Sequence, residues 1–317
     1  MPEYLQEHLK MKEIQEINYE NRLIAFIDIL GFSEIVKQSE NDSKKIELIY
    51  SILDYLKNWE TSESWDLKLV EIEEDAQRKG VKYFDIREKT NCTSFSDSIV
   101  ISVKVDNNVN EMTSTLIANI AYIGAILLEE GVLLRGGLTI GNIVHNENGT
   151  VFGQGLIDAY ELERNCAKFP RIVFSDKIIK HLNYPLNSKY ERYPYHQYIE
   201  RFEDGCVGFH QMIYYQVVEN WTEMTEENII ESLSKIRKVI VGGLDGSIEK
   251  PDVFEKYKWL KAQYNKLIIL SDFDFDTKTD EHIKIKIQEL EDGNAGHNIH
   301  YTFADEIRER MKKKDKK

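Results

Sequence analysis

The chain has 317 residues, 42% hydrophobic and 11% aromatic, enough for one large domain or for a domain with a sizeable extension. Its 41 basic against 55 acidic side chains give a formal net charge of −14, which argues against non-specific binding of nucleic acid or anionic membrane and leaves room only for a local basic pocket. Three scattered cysteines, Cys92, Cys166 and Cys206, fit neither a disulfide framework nor a zinc site. The first residues show no signal-peptide apolar region and no run is read as a membrane span, so the expected setting is soluble, reducing and cytoplasmic.

In chain order, Leu5, Leu9, Ile14 and Ile17 are spaced for a short amphipathic N-terminal helix over residues 3–18. Residues 22–28 are β-branched and aromatic and predict a central strand. Ile46, Ile49, Leu53 and Leu56 then recur at helical spacing. Residues 59–80 are charged and weakly patterned and predict an insertion. The stretch YFDIREKTNCTSFSDSIVISVKV predicts two strands hinged at Ser96-Asp97. Residues 111–129 predict a long helix stopped by Gly131. VLLRGGLTIGNIVH predicts a further strand pair with NENG as its turn. Gln154–Ala167 predicts a helix, and RIVFS a buried strand whose serine caps the next helix. Past residue 183 the sequence is rich in Tyr and Pro, followed by helical stretches over 226–242 and 252–270 and a charged tail.

The order β-α-β-β-α-β is the split βαβ, or ferredoxin-like, pattern of an α+β fold. The expected organisation is an N-terminal helix (1–21), a core domain (22–182) with the insertion at about 59–80, and a C-terminal extension packed on the core (183–317).

Two carboxylates stand out. Asp28 lies in the apolar strand IAFIDIL, where a charge is costly to bury unless it is paired or binds a cation. Asp97 lies at the hairpin turn, and in a split βαβ sheet that hairpin neighbours the first strand. Each alone reads as a cap, an ion pair or plain turn chemistry. Together they suit a hard divalent cation, which takes oxygen ligands and shares them with substrate phosphates. Leu30-Gly31-Phe32-Ser33 joins strand to helix, so its backbone N–H groups are placed for phosphate. Ser33 is also a candidate cap.

These residues resemble the class III nucleotide cyclase catalytic domain. Asp28 to Ser33 match its apolar-Asp-apolar-apolar-Gly-Phe-Ser/Thr pattern, and Ser96-Asp97 keeps the hairpin acid but not its glycine. Arg135, Gly137, Leu138 and Gly141 match the following strand. Phe152-Gly153, Ala159, Leu162, Glu163 and Ala167 match the helix region, and Ser175 the strand end. The likeness covers residues 22–180. It implies that Asp28, Asp97 and the Ile29 carbonyl hold two Mg²⁺ or Mn²⁺ ions, with Leu30 to Ser33 on the triphosphate. It also implies a homodimer with active sites at the interface.

The departures bear on the base and on the transition state. Thr93 stands where purine cyclases carry a base-reading lysine or glutamate, and Ile157 and Glu161 replace the usual Asn and Arg. Arg135, Arg164 and Arg171 are the candidate replacement cations, and Arg135 is equally a strand arginine paired with an acid. AFIDILGF, AYELE, FPRIVFS and KYKWLKAQYN resemble the Pycsar pyrimidine cyclases of bacterial anti-phage defence. That likeness implies UTP or CTP as substrate, with UTP favoured, and a cyclic product acting on a separate effector. Tyr50 and Thr93 become candidate base-binding residues, with a core tyrosine and an ordinary strand threonine as the plain readings. A purine cyclase and a degenerate nucleotide-binding module remain the alternatives.

Overall fold

The computed structural model describes residues 17–58, 85–182, 199–218 and 226–270. The N-terminal helix expected over residues 3–18, the insertion at 59–80 and the charged tail lie outside them, apart from residues 17 and 18, which are not helical.

The described elements are β1 (Glu20–Leu30), α1 (Phe32–Ser39), α2 (Ser43–Asn58), β2 (Thr90–Phe95), β3 (Ser98–Lys104) and α3 (Val109–Glu129). Next come β4 (Leu133–His145), β5 (Val151–Phe152), α4 (Gln154–Cys166), β6 (Arg171–Phe174) and α5 (Asp176–His181). The chain continues through β7 (Glu200–Arg201), β8 (Val207–His210), α6 (Ile213–Val218), α7 (Glu226–Asp245) and α8 (Pro251–Leu270). The sheet order is β2-β3-β1-β4-β6-β8-β7, with β5 paired to β4. Its first four members are the α+β split βαβ core, with β1 antiparallel to both β3 and β4. The β4–β6 pair is parallel.

Alternation along β1 sorts its side chains onto two faces. Leu23, Ala25, Ile27 and Ile29 join the main core, with Ile99, Ile101, Leu116, Ile120 and Leu134. Ile24 faces the other way, beside Val100, Ile143 and Ala159 of α4. Phe26 lies edge-on to Tyr160 on that second face. The α4 helix lies against the sheet because β4 carries glycine where they meet. A Cβ on Gly137 would sit 2.5 Å from the Ala159 carbonyl oxygen.

The α3 helix stops as its glycine predicts. Gly131 has φ +82°, the Val132 N–H donates to the Leu127 carbonyl, and the Gly131 N–H donates to Leu128. That is a Schellman motif, which satisfies carbonyls the helix end leaves open. By length and composition α3 could cross a membrane, contrary to the reading of the sequence, but most of it is buried inside the protein. Its apolarity serves a helix enclosed between the sheet and the C-terminal helices: Ala125 and Leu128 pack with Ile229, Leu233, Ile236 and Leu260 of α7 and α8.

Two expectations need correcting. VLLRGGLTIGNIVH is one thirteen-residue strand rather than a pair, and its hairpin partner after NENG is the two-residue β5. Gly136 and Gly137 do not break it, because neighbouring backbone occupies the space their side chains would need. Ser33 caps nothing: the N-cap of α1 is Gly31, with no side-chain capping bond. The sheet also extends through β8 and β7, which no periodic pattern announced. The expected cap at Ser175 is present, its Oγ accepting from the Ile178 N–H.

Candidate active site

The register of β1 places Asp28 between Ser98 on β3 and Arg135 on β4. Arg135 Nε donates to Asp28 Oδ2 at 2.9 Å. The same nitrogen lies 2.8 Å from Glu163 Oε1 on α4. Nε carries a single proton, and it points at Asp28, so Glu163 Oε1 is a close ion contact without an aligned hydrogen bond. Asp28 and Arg135 are partly open, with side chains 16% and 28% exposed, whereas that of Glu163 is 4% exposed. Burial pushes the Glu163 carboxyl above its ordinary pKa; Arg135 opposes that shift and the charge on Asp28 adds to it. Glu163 matched the family pattern in sequence without any role attached to it.

Asp97 is held by its backbone. Its carbonyl accepts from the Ile29 N–H at 2.9 Å, which ties the β2–β3 turn to the end of β1. Ser96, where the family pattern has glycine, takes φ +57°, a left-handed conformation uncommon outside glycine. The Asp97 carboxylate makes no hydrogen bond or ion pair among the described residues. The Ile29 side chain is buried in the main core, so only its backbone is open to a ligand.

The loop after β1 supplies donors. Gly31 has φ +75° and ψ +13°, and its carbonyl accepts from the N–H groups of Glu34 and Ile35. The N–H groups of Phe32 and Ser33 have no partner among the described residues. Phe32 packs half-buried on the main core, which anchors the loop from below. An open first helical turn with free N–H groups is a ready anion site.

The donor set fits a hard cation that arrives with a phosphorylated ligand. Asp97 offers a whole carboxylate, and Asp28 keeps one oxygen outside its bond to Arg135. No cluster of three or more His, Cys, Asp or Glu side chains suited to a metal occurs among the described residues. A site of two carboxylates therefore needs substrate oxygens to complete the coordination, as magnesium sites of this type do.

The remaining candidates fall in different places. Arg164 is exposed on α4, one residue beyond Glu163. Arg171 is removed from the candidate cations: it is 1% exposed, bonded to Asp204 and the Cys166 carbonyl, and enclosed by Phe169, Phe202 and Trp259. Tyr50 is 70% exposed on α2, which rules out a core tyrosine. Thr93 lies on β2 with its hydroxyl 2.9 Å from His145 Nε2. His145 was missed in sequence, since its partners are 43 and 52 residues away. A cleft of about 380 Å³ lies toward the other end of β4, lined by Asn21, Gly141, Gln154, Asp158 and Lys177, and does not coincide with the carboxylates.

No family model matches the chain, and no curated protein matches it. Among solved structures it is similar to the catalytic core of a rhodopsin-guanylyl cyclase with converted specificity in complex with ATPαS. The identity is 17%, over 52% of this chain and 83% of that one, with a TM-score of 0.30. It is similar to the monomeric guanylyl cyclase domain of a RhoGC fusion protein from the aquatic fungus Blastocladiella emersonii, with 16% identity, 53% and 89% coverage and a TM-score of 0.30. A class III adenylyl cyclase-like ATP-binding protein from Pseudomonas aeruginosa gives 11% identity, 66% and 44% coverage and a TM-score of 0.38. All three TM-scores lie below 0.5, so the side chains of this chain carry the functional reading.

Proposed function

We propose that the chain is a metal-dependent class III nucleotide cyclase that converts UTP, or CTP, to the 3′,5′-cyclic nucleotide and pyrophosphate. The observation that carries this reading is the junction of Asp28 and Asp97 at the Ile29–Asp97 backbone bond, beside the free N–H groups of Phe32 and Ser33. In the reaction the ribose 3′-oxygen loses its proton and attacks the α-phosphorus, and the bond to the β-phosphate breaks as pyrophosphate leaves. Two divalent cations, Mg²⁺ or Mn²⁺, held by Asp28, Asp97 and the Ile29 carbonyl would lower the pKa of the 3′-hydroxyl and neutralise the leaving group. The loop from Leu30 to Ser33 binds phosphate oxygens through its backbone. Arg135 holds Asp28 in place, and Arg164 is the exposed cation on the adjacent helix. Thr93 and Tyr50 are assigned to the base, Tyr50 acting from its exposed helix.

The same reading makes the chain a cytoplasmic homodimer with sites at the interface, serving anti-phage defence through a separate effector that responds to the cyclic nucleotide. Residues 1–21, 22–182 and 183–317 are proposed as N-terminal helix, catalytic domain and packed extension. A short uncharged Thr93 speaks against a purine cyclase.

A second reading, a nucleotide-binding module without turnover, is favoured by one observation: Arg135 occupies an oxygen of Asp28, while Ile157 and Glu161 stand at the usual Asn and Arg positions. Incubation with ATP, GTP, CTP and UTP plus Mn²⁺, with products identified by mass, separates the readings. Cyclic UMP or CMP that disappears in Asp28→Ala and Asp97→Ala is the expected result. Binding without product supports the module, and cyclic AMP or GMP supports a purine cyclase.

A further inference from the structure

The strand that carries Arg135 is secured unevenly. On one edge β4 is paired with β1, Asp28 opposite Arg135 and Ile29 opposite Leu134. On the other edge β6 pairs with it over Gly136–Leu138, so Leu133, Leu134 and Arg135 have no strand beside them there among the described residues. Gly136 and Gly137 follow directly and bring no side chain that could anchor the arginine. Successive residues of a strand turn their backbone groups to opposite edges, so the Val132 carbonyl and the Leu134 N–H both face the open side.

Gln211, the residue after β8, closes that edge with its side chain. Its Oε1 accepts from the Leu134 N–H at 2.8 Å, and its Nε2 donates to the Val132 carbonyl at 3.0 Å and to the Gly124 carbonyl of α3 at 2.7 Å. The carbonyl of one residue and the N–H two residues on are the pair that a single residue of a parallel neighbour would bond, so the carboxamide stands in for the missing strand. Its second N–H ties the same unit to α3. A flipped amide would set its N–H groups against the Leu134 N–H, so one orientation alone satisfies all three partners. Gln211 is 4% exposed, and α3 carries glycine where it passes: a Cβ on Gly124 would lie 3.1 Å from Gln211 Cγ. Glycine inside a helix is unfavourable without a packing reason, and Gln211 supplies one.

We infer that Gln211 is a positioning residue for the reaction centre: from the C-terminal segment it fixes the start of β4 and so holds Arg135 in line with Asp28. The inference rests on the cyclase reading for what Asp28 binds, and it adds to that site a residue from outside the expected core domain. Arg135 reaches Asp28 through Nε, one proton at the end of a long side chain, so its aim depends on the backbone at 134–135. Without the carboxamide the Leu134 N–H and the Val132 carbonyl are buried without partners, and the segment must shift to satisfy them. A shifted Arg135 leaves Asp28 turned differently toward a cation, and groups that orient a metal ligand act on affinity in this way.

Two measurements on the full chain test this. The first needs no ligand: the ¹⁵N–¹H signal of Arg135 Nε, assigned by its absence in Arg135→Lys. It should exchange slowly with water in the native protein and rapidly in Gln211→Met, which keeps the length of the side chain but not its amide. The second is Mn²⁺ affinity in the presence of UTP, followed by the electron paramagnetic resonance of free Mn²⁺. Gln211→Met should weaken it about ten-fold, in keeping with groups that orient a metal ligand. Tyr215→Phe removes the bond from the same segment to Glu129 without touching a bond to β4, and should leave both readouts as they are. Rapid exchange already in the native protein, an Arg135 signal unchanged in Gln211→Met, or one loosened equally in Tyr215→Phe overturns the inference. If Gln211→Met does not fold, Gln211→Asn, whose amide is drawn back by one methylene, is read by the same criteria. Failure of the cyclase reading shows separately, as native protein that takes up no Mn²⁺ with UTP; the Arg135 signal then decides on Gln211 alone.

Discussion

Arg135 stands between two acids of different character. Asp28 is partly open to water, whereas Glu163 is enclosed and has no aligned hydrogen bond on Oε1. Removing the arginine leaves Glu163 as a buried charge without its counter-ion, a change far more costly than the loss of a surface pair. Arg135→Ala is expected to destabilise the fold by about 2–4 kcal/mol. Adding Glu163→Gln should recover a large part of that loss, because the residues share one network and their effects are not additive. Urea midpoints of the two single variants and the double variant check this; simple additivity would separate Glu163 from the arginine. The same geometry explains how an aspartate can sit in an apolar strand: the cation that offsets it comes from the neighbouring strand.

At the scale of elements, the site depends on two backbone positions. Gly137 lets α4 lie on β4, with the Ala159 carbonyl 2.5 Å from where a Cβ would sit. The two nearest atoms, that carbonyl oxygen and the Glu163 backbone nitrogen at 3.0 Å, cannot swing away, so Gly137→Ala should cost more than about 2 kcal/mol and displace Glu163 from Arg135. Thermal midpoints together with the near-ultraviolet circular dichroism of Tyr160 and its neighbours report it. Ser96 bears a smaller strain. Ser96→Gly should raise stability by up to about 1 kcal/mol, since the turn already needs a left-handed residue; a lower melting temperature would count against that account. Much of this level was legible in sequence. The apolar run around Asp28, the hairpin at Ser96-Asp97 and the glycine stop of α3 each follow a local rule, and the split βαβ order follows from them. The β8 strand was not legible, because Val207–His210 is buried on both sides and shows no alternation. His145 was hidden for another reason: a buried polar network among three strands has no signature in spacing. Arg171 misled because sequence shows a charge but not the aromatic enclosure that takes it out of use.

For the whole molecule, acid should be destabilising. Burial holds the folded-state pKa of His145 at about 4 and that of His210 at about 3, below the ordinary 6.5. In the unfolded chain both rings take up protons below about pH 6.5, so the unfolded state binds more protons there. Stability therefore rises with pH between roughly 4 and 6.5 and is lost as pH falls through that window. Glu163 acts in the opposite sense, since its raised pKa favours the folded state as it becomes protonated. Two histidines against one carboxyl leave the net effect a lower urea midpoint at pH 5 than at pH 7, and an equal or higher midpoint would contradict it.

The bond from the Ile29 N–H to the Asp97 carbonyl closes a loop that only the completed β1–β3 ladder can bring together. Asp28 and Asp97 therefore cannot be joined by any local fluctuation, and the pair exists only in the folded chain. Deuterium exchange at the Ile29 amide should accordingly be slower than at the Phe32 and Ser33 amides, which have no partner among the described residues, and faster than at the centre of β1. A nucleotide with its metal would slow exchange at Ile29 more than at the centre of β1, which makes that single amide a local reporter of occupancy.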